Sequence, residues 1–548
     1  MAAPISSSSF LMRYIICCSG FLCLILCSLE KGFALEEREH AHTVEVNSLL
    51  PATTCSSSSS SSSTKGHMSK HASSSVLKVV HKHGPCSRLK KHKSKTPTHA
   101  QILQQDQARV NSIHSRVNSK KQLKSVDDLR ESAATTIPAQ SGSVVGAGNY
   151  IVNVGLGSPK KQLSLIFDTG SDLTWTQCRP CVKSCYKQKE PIFDPSLSAS
   201  YANVSCTSAT CTQLRSATGN TPGCTASTST CIYGIQYGDK SFSVGYFAKE
   251  KLSLTNTDVF DGFLFGCGQN NQGLFGGAAG LLGLGRNQIS LVEQSAKKYN
   301  RFFSYCLPST SSSTGYLSFG KGGGSSNAVK FTALSTVSQG DSFYGLNVVG
   351  INVGGTKLPI SASVFSSSGT IIDSGTVITR LPLTAYSSLK AAFRQRMKSY
   401  PLTQELSILD TCYDFSSFKT VSYPKISFVF DGGLTQDLDA TGILYVASSD
   451  QVCLAFAGNG DDSDIGIFGN VQQKRLQVVY DIAGGKLPSF ANEEDNLGVS
   501  TNGAVCLAFA GNKDDSDVGI IGNVQQKRLE VVYDVAGGKV GFAPADKS

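Results

Sequence analysis

An all-β fold in two similar lobes is predicted by three features of this sequence. The first is composition. Its 53 glycines, many Ser and Thr, and short β-branched runs, with only 16 % charged residues, read as strands and turns rather than helices. The second is length: 548 residues exceed what one small core organises. The third is a pattern that recurs. Asp168-Thr169-Gly170-Ser171 ends the apolar run Leu163–Phe167, and Asp373-Ser374-Gly375-Thr376 follows Gly369–Ile372. The two aspartates lie 205 residues apart, room for one lobe.

Two equivalent Asp turns on two similar lobes bring two carboxylates face to face. Such a pair shares one proton, because two like charges in contact do not both ionise cheaply. One carboxyl is then the acid and the other the base, which suffices to activate water without a metal or a nucleophilic side chain. Histidine supports this by elimination. All nine His lie between His40 and His114, so residues 138–548 hold none. Ser-His-Asp and Cys-His chemistry and His-ligated zinc are thereby removed from the main body. No cofactor or metal is implied.

The chain then divides in order. Residues 1–34 read as a signal peptide: Arg13 precedes the apolar run Tyr14–Leu29, and Gly32-Phe33-Ala34 offers small residues for cleavage. No other segment is long and apolar enough to span a bilayer, so no stable membrane anchor is expected. Export to the extracellular space, the apoplast or the vacuole follows; a plastid is the alternative, from the Ser-rich start. Residues 35–137 carry 16 Lys and Arg against 8 Asp and Glu, a serine tract (Ser56–Ser63) and the cluster Arg88–Lys95. Gln101–Val117 suits a helix. The region reads as a basic, His-containing prosegment that covers the site until removed, rather than as a disordered linker. DNA binding through Arg88–Lys95 is a further reading of the same charge.

Residues 138–330 form the expected N-terminal lobe and 331–548 the C-terminal lobe. Together they hold 32 Lys and Arg against 31 Asp and Glu, which argues against a nucleic-acid surface on this body. In the N-terminal lobe Tyr150, Val152, Val154 and Leu156 share one strand face by period-2 alternation. The Cys-rich stretch includes Cys178-x2-Cys181-x3-Cys185; in an exported chain, disulfides are favoured over a thiolate metal cluster. Of twelve cysteines from 178 to 506, nine precede residue 330 and three follow it. Either one bond crosses between lobes or each lobe leaves a thiol. Asn203-Val-Ser205 is a glycosylation sequon, expected on a surface loop. In the C-terminal lobe, residues 452–486 return at 505–539 as a near-identical tandem copy.

Together these segments resemble the pepsin-like aspartic endopeptidases, and more closely the plant nepenthesin-type branch that includes the chloroplast nucleoid DNA-binding aspartic protease. Residues 77–86 are similar to that branch's prosegment. Asp168-Thr-Gly-Ser with Trp175, and Asp373-Ser-Gly-Thr376, match its two active-site motifs. Tyr237-Gly238-Asp239 matches its flap, and Leu281–Gly285 and Ile520–Gly522 its bracing loops. The resemblance implies a bilobal fold with the cleft between lobes. It implies an acid-active enzyme on polypeptide substrates, with Asp168 and Asp373 holding the lytic water. Thr169, with Thr376 or Ser374, would cross-brace the turns, while Gly170 and Gly375 permit close approach. Tyr237 would cap the substrate, its hydroxyl bonded by Trp175, and Cys412–Cys453 would be the C-lobe disulfide. A monomer is expected, with its own prosegment as intramolecular inhibitor through a Lys or Arg on the carboxylates, a hold that acid loosens. A non-catalytic binding or inhibitor protein on the same fold is the alternative. Lys240 departs from the branch, which usually has Gly there; it would stiffen the flap tip or favour acidic side chains in the substrate. Only the second tandem copy continues into the expected closing strand, Lys539–Ala543, so one copy is surplus to a single lobe.

Overall fold

The computed structural model describes residues 41–50, 52–55, 75–89, 97–118 and nearly all of 150–483, with short strands at 124–125 and between 486 and 544. The expected signal peptide and the serine tract lie outside these residues, as does most of the Arg88–Lys95 cluster.

Strands dominate. The largest sheet joins sixteen of them and is assembled from distant parts of the chain. Leu476–Asp481 pairs with Phe302–Cys306, which pairs with Thr314–Phe319. That strand pairs with Ser75–His81, which pairs in turn with Tyr150–Leu156, and this last pairs with Lys161–Asp168. A strand from the basic N-terminal region is thus built into the middle of the body. A five-stranded sheet in the C-terminal lobe runs through Tyr344–Leu346, Thr370–Ile372, Gly466–Phe468, Thr379–Leu381 and Phe456–Gly458.

The alternating strand is more buried than its pattern suggested. Tyr150, Val152, Val154 and Leu156 do share one core, but Ile151 on the opposite face is buried in a second, with Ile166 and Trp175. The sheet is covered on both sides, so only Asn153 is exposed in this strand.

The predicted helix extends over His99–Asn118. A capping box starts it: Thr98 Oγ1 accepts from the Gln101 amide at 3.2 Å, and Gln101 Oε1 accepts from the Thr98 amide at 2.8 Å. Leu103, Val110, Ile113 and Val117, spaced by three, four and seven, form one buried stripe. Leu103 packs with Val377, Ile378 and Leu409; the other three pack with Phe343, Ile371, Ile465 and Ile467. At about 1.5–3 kcal/mol for each side chain removed from water, this stripe is a large gross contribution to seating the helix.

Disulfides bind Cys55–Cys86, Cys178–Cys267, Cys181–Cys185, Cys206–Cys224, Cys211–Cys231 and Cys412–Cys453. The closely spaced Cys178, Cys181 and Cys185 are therefore disulfide partners rather than a thiolate cluster. Among the described residues no bond crosses between the lobes. Asn203 is exposed, as expected, but on the short strand Ala202–Asn203 paired with Ala248 and Lys249 rather than on a loop.

The tandem repeat resolves differently from the sequence expectation. The first copy is the one woven into the lobe. Its Cys453 bonds Cys412, and its Leu476–Asp481 enters the large sheet. The closing partner is Phe490–Asn492, which folds back antiparallel on Leu476–Asp481. Lys539–Pro544 pairs instead with Leu529–Asp534 in a separate two-stranded hairpin. Chain connectivity explains this: Gln451–Leu454 follows its neighbour Leu444–Ser448 directly, which places the first copy in the lobe through a local hairpin.

Candidate active site

Both Asp turns are built on the same plan. Lys161–Asp168 delivers Asp168 at its end, and Gly280–Gly283 runs parallel to it with Gly283 opposite Asp168. Thr370–Ile372 delivers Asp373, and Gly466–Phe468 runs parallel with Phe468 opposite Ile372. Leu284 N–H donates to Asp168 O at 2.9 Å, and Asp373 N–H donates to Phe468 O at 3.2 Å. The brace of the second turn is therefore Ile467-Phe468-Gly469 of the first copy. Ile520–Gly522, expected in that place, lies outside the described residues; the local hairpin that seats the first copy carries its own Gly loop to Asp373.

Each carboxylate is held by matching donors. Gly170 N–H and Ser171 Oγ–H reach Asp168 at 3.0 and 2.8 Å. Gly375 N–H and Thr376 Oγ1–H reach Asp373 at 2.9 and 2.6 Å. The turns are tied to each other by Thr169 and Ser374. Ser374 N–H donates to Thr169 Oγ1 at 2.9 Å, and Thr169 N–H donates to Ser374 Oγ at 3.1 Å. Ser374 is thus the cross-brace, while Thr376 serves its own aspartate. Asn470 and Gln473 reinforce the second turn through Ser374 O and Asp373 O. A Cβ on Gly170 would sit 2.7 Å from Asp373 Oδ1, and one on Gly375 would run into Asp168. Only glycine lets the two carboxylates face each other so closely.

Into this gap the helix inserts Arg109. Its Nη2 lies 2.7 Å from Asp168 Oδ1 and 2.9 Å from Asp373 Oδ1, and its Nε lies 2.9 Å from Asp373 Oδ2. Burial, the largest influence on Asp168, would raise its pKa; the Arg109 charge and the Ser171 and Gly170 donors outweigh it and hold Asp168 below the usual range. For Asp373, burial and the neighbouring Asp168 charge outweigh Arg109 and push the carboxyl up. With Arg109 docked, the two chemically identical groups are thus pushed in opposite directions. The sequence had implied a Lys or Arg here without choosing it. The signal was available: within Gln101–Val117 the only Lys or Arg are Arg109 and Arg116.

On the flap side, the bond expected between Trp175 and Tyr237 is present. Tyr237 lies beyond Cys231–Gln236, which pairs antiparallel with Phe242–Ser253. Trp175, fully buried, donates from Nε1 to Tyr237 Oη at 2.8 Å. Phe275 packs edge-on to both rings. Gly238 and Asp239 lie outside the described residues. Lys240 adopts φ 65°, the left-handed region that favours glycine. With the helix in place, the space beside Asp168 is a cavity of about 40 Å³ lined by Arg109, Ser112, Ser171, Tyr237 and Phe275. That holds a water or two, not a peptide.

Comparison with known proteins places this geometry. Residues 150–321 match the family described as Xylanase inhibitor N-terminal; 343–492, and again 489–544, match Xylanase inhibitor C-terminal. An Aspartyl protease family protein of Arabidopsis thaliana is 58 % identical over 467 residues, covering 85 % of this chain and 96 % of that protein. Aspartyl protease AED1 of the same plant is 48 % identical over 482 residues, covering 87 % and 97 %. Aspartic proteinase nepenthesin-2 of Nepenthes gracilis is 38 % identical over 363 residues, covering 65 % and 79 %. The crystal structure of Basic 7S globulin from soybean has a TM-score of 0.50 at 21 % identity, covering 63 % of this chain and 91 % of its own, and speaks for the fold alone. The chain belongs to the plant pepsin-like aspartic protease family. It is an aspartic endopeptidase, and the reading as a non-catalytic binding protein is set aside.

Proposed function

We propose that Asp168 and Asp373 are the catalytic pair, and that residues 35–137 are a prosegment inhibiting it at near-neutral pH. One observation carries both: a single guanidinium bridges two carboxylates held in equivalent turns. With the helix gone, a water takes the place of Arg109 between them. One carboxylate accepts the water's proton as it attacks the peptide carbonyl, and the other, protonated, donates to the carbonyl oxygen. A proton shared between two aspartates is the established device of aspartic proteases. Tyr237 closes over an extended polypeptide. The apolar cleft surface now covered by Leu103, Val110 and Ile113 supports a preference for bulky apolar residues.

Acid releases the helix through two sets of groups. His99 and His114 lie on it, and burial lowers both pKa values. A group with a lowered docked pKa takes up protons on release, so docking is strongest above 6.5 and weakens as pH falls. For Asp168, docking to Arg109 is lost as pH falls through its depressed value. The enzyme works as a monomer and travels the secretory route to the apoplast or vacuole. Six disulfides and an exposed Asn203 suit that route.

Asp168→Asn and Asp373→Asn, each made in the full-length chain and brought to pH 4, test the pair. Each is expected to lose about 10³-fold or more in kcat on a denatured protein substrate at pH 4, with circular dichroism unchanged. Either variant retaining full activity refutes the assignment. Precursor that is as active at pH 7 as processed enzyme refutes the prosegment role.

A further inference from the structure

Arg380 is a fully buried arginine with no part in the Asp pair. It lies on Thr379–Leu381 of the C-lobe, seven residues past Asp373. Its Nη1 donates to Ile378 O at 2.8 Å. Both of its other polar partners come from the cleft helix. Nη2 lies 3.0 Å from Asp106 Oδ2 and 3.3 Å from Gln107 Oε1. Its Nε is buried with no hydrogen-bond partner. Asp106, also fully buried, is held by more than this charge. Val377 N–H donates to its Oδ1 at 2.5 Å, and Ile378 N–H donates to its Oδ2 at 3.0 Å. Two successive amides and a guanidinium thus converge on one carboxylate, and all three belong to the lobe, not to the helix. Among the described residues, Asp106 is the only carboxylate within ion-pair distance of Arg380.

Removing the helix takes away the anion and leaves Ile378 O as the one described hydrogen-bond partner of the guanidinium. A buried guanidinium without a counter-charge is costly, and so are two amides without an acceptor. We propose that Val377 N–H, Ile378 N–H and Arg380 form a carboxylate-binding subsite of the processed enzyme, selecting substrates with Glu or Asp near the scissile bond. This rests on residues 35–137 being a released prosegment, with Asp106 standing in for the substrate side chain. The helix supplies the scale. Asp106 and Arg109 are three positions apart on one helix face, about 5–6 Å between Cβ atoms. In an extended peptide, residues two apart face the same way about 6.6 Å apart. The acidic residue therefore sits about two residues from the residue at the Asp pair. Val377, Ile378 and Leu409 make the surrounding wall apolar, so the charge is read in a dry setting, where a missing partner is most strongly rejected.

The test uses the full-length chain after acid activation and end-blocked octapeptides at pH 5.5 in a non-carboxylate buffer. Glu, Gln and Lys are placed at each position in turn. At one position kcat/KM for Glu is expected to exceed that for Gln by about tenfold or more, with Lys lower still. Arg380→Gln should bring the Glu/Gln ratio to about one, and Arg380→Lys should keep part of it. Equal rates for Glu and Gln at every position in the wild-type enzyme overturn the proposal, with no variant needed. So does a ratio that survives in Arg380→Gln. Failure of the underlying reading looks different: chain that cleaves all peptides equally well before and after removal of 35–137 shows that the helix is no prosegment.

Discussion

Arg109→Gln in the unprocessed chain is the most direct perturbation of the cleft. The guanidinium is about one-tenth exposed and contacts two carboxylates with essentially no exposure. Breaking a buried charge pair by removing one partner costs roughly 3–5 kcal/mol. Here the lower end applies, because the aspartates share a proton once the arginine is gone. At 1.4 kcal/mol per tenfold, about 3 kcal/mol raises the population of released helix about 10²-fold. The helix does not simply fall away, since Leu103, Val110, Ile113 and Val117 remain buried and Asp106 keeps its three donors. The expected result is precursor that cleaves a fluorogenic peptide about 10²-fold faster than wild-type precursor at pH 6, or at the rate of processed enzyme if that is reached first. A gel run alongside shows residues 35–137 still attached. Arg109→Lys keeps the charge and should change the rate far less. Arg109→Gln precursor that stays as inactive as wild type, while its processed form cleaves normally, refutes the view that this ion pair holds the site closed.

Four further outcomes are expected. His114→Gln, which removes a buried titrating group near Ile465 O and Asp464, should lower the pH midpoint of precursor activation by a few tenths of a unit, read from activity against pH; an upward shift contradicts the sign given above. Asp172 is buried, which pushes its pKa up to about 6 despite donors from Ser342 and Asn287. A raised carboxyl pKa means stability present below the unfolded value of 3.8 and lost as pH rises through about 6; Asp172→Asn should therefore raise Tm more at pH 7 than at pH 3, and the reverse order sinks the reading. Trp175→Phe deletes the Nε1–H bond to Tyr237 and should lower kcat/KM by about three- to tenfold, the worth of one hydrogen bond, together with a fall in Tm because the smaller ring leaves a cavity at a fully buried position. Ending the chain after Glu494 removes only the separate hairpins among the described pairings; Tm and activity should hold, and loss of folding would show that the second copy is structurally required.

The identity of the site was legible because short motifs carry its chemistry. The two Asp-x-Gly turns, Trp175 and Tyr237 have local sequence signatures, and the lack of histidine after His114 excluded rival chemistries. Ile520–Gly522 has a near-identical counterpart, Ile467-Phe468-Gly469, in the first copy, and that counterpart braces Asp373; Lys539–Ala543, carried by the second copy alone, lies in a separate hairpin. Which copy enters the lobe is decided by the local pairing with Leu444–Ser448 and by the Cys412–Cys453 bond that the resemblance had implied.

By itself, then, the sequence determined the all-β class and the two Asp turns, and it implied the chemistry proposed for them. These follow from local composition and from spacings of a few residues. The tertiary structure alone decided that Arg109 is the residue between the carboxylates, that Ser374 rather than Thr376 ties the turns, and that Asp106 meets Arg380. Each of these is a contact between residues 59 or more apart in the chain, or a choice between chemically equivalent neighbours. Only the folded chain sets those distances, because electrostatics and hydrogen bonds act through space, not along the sequence.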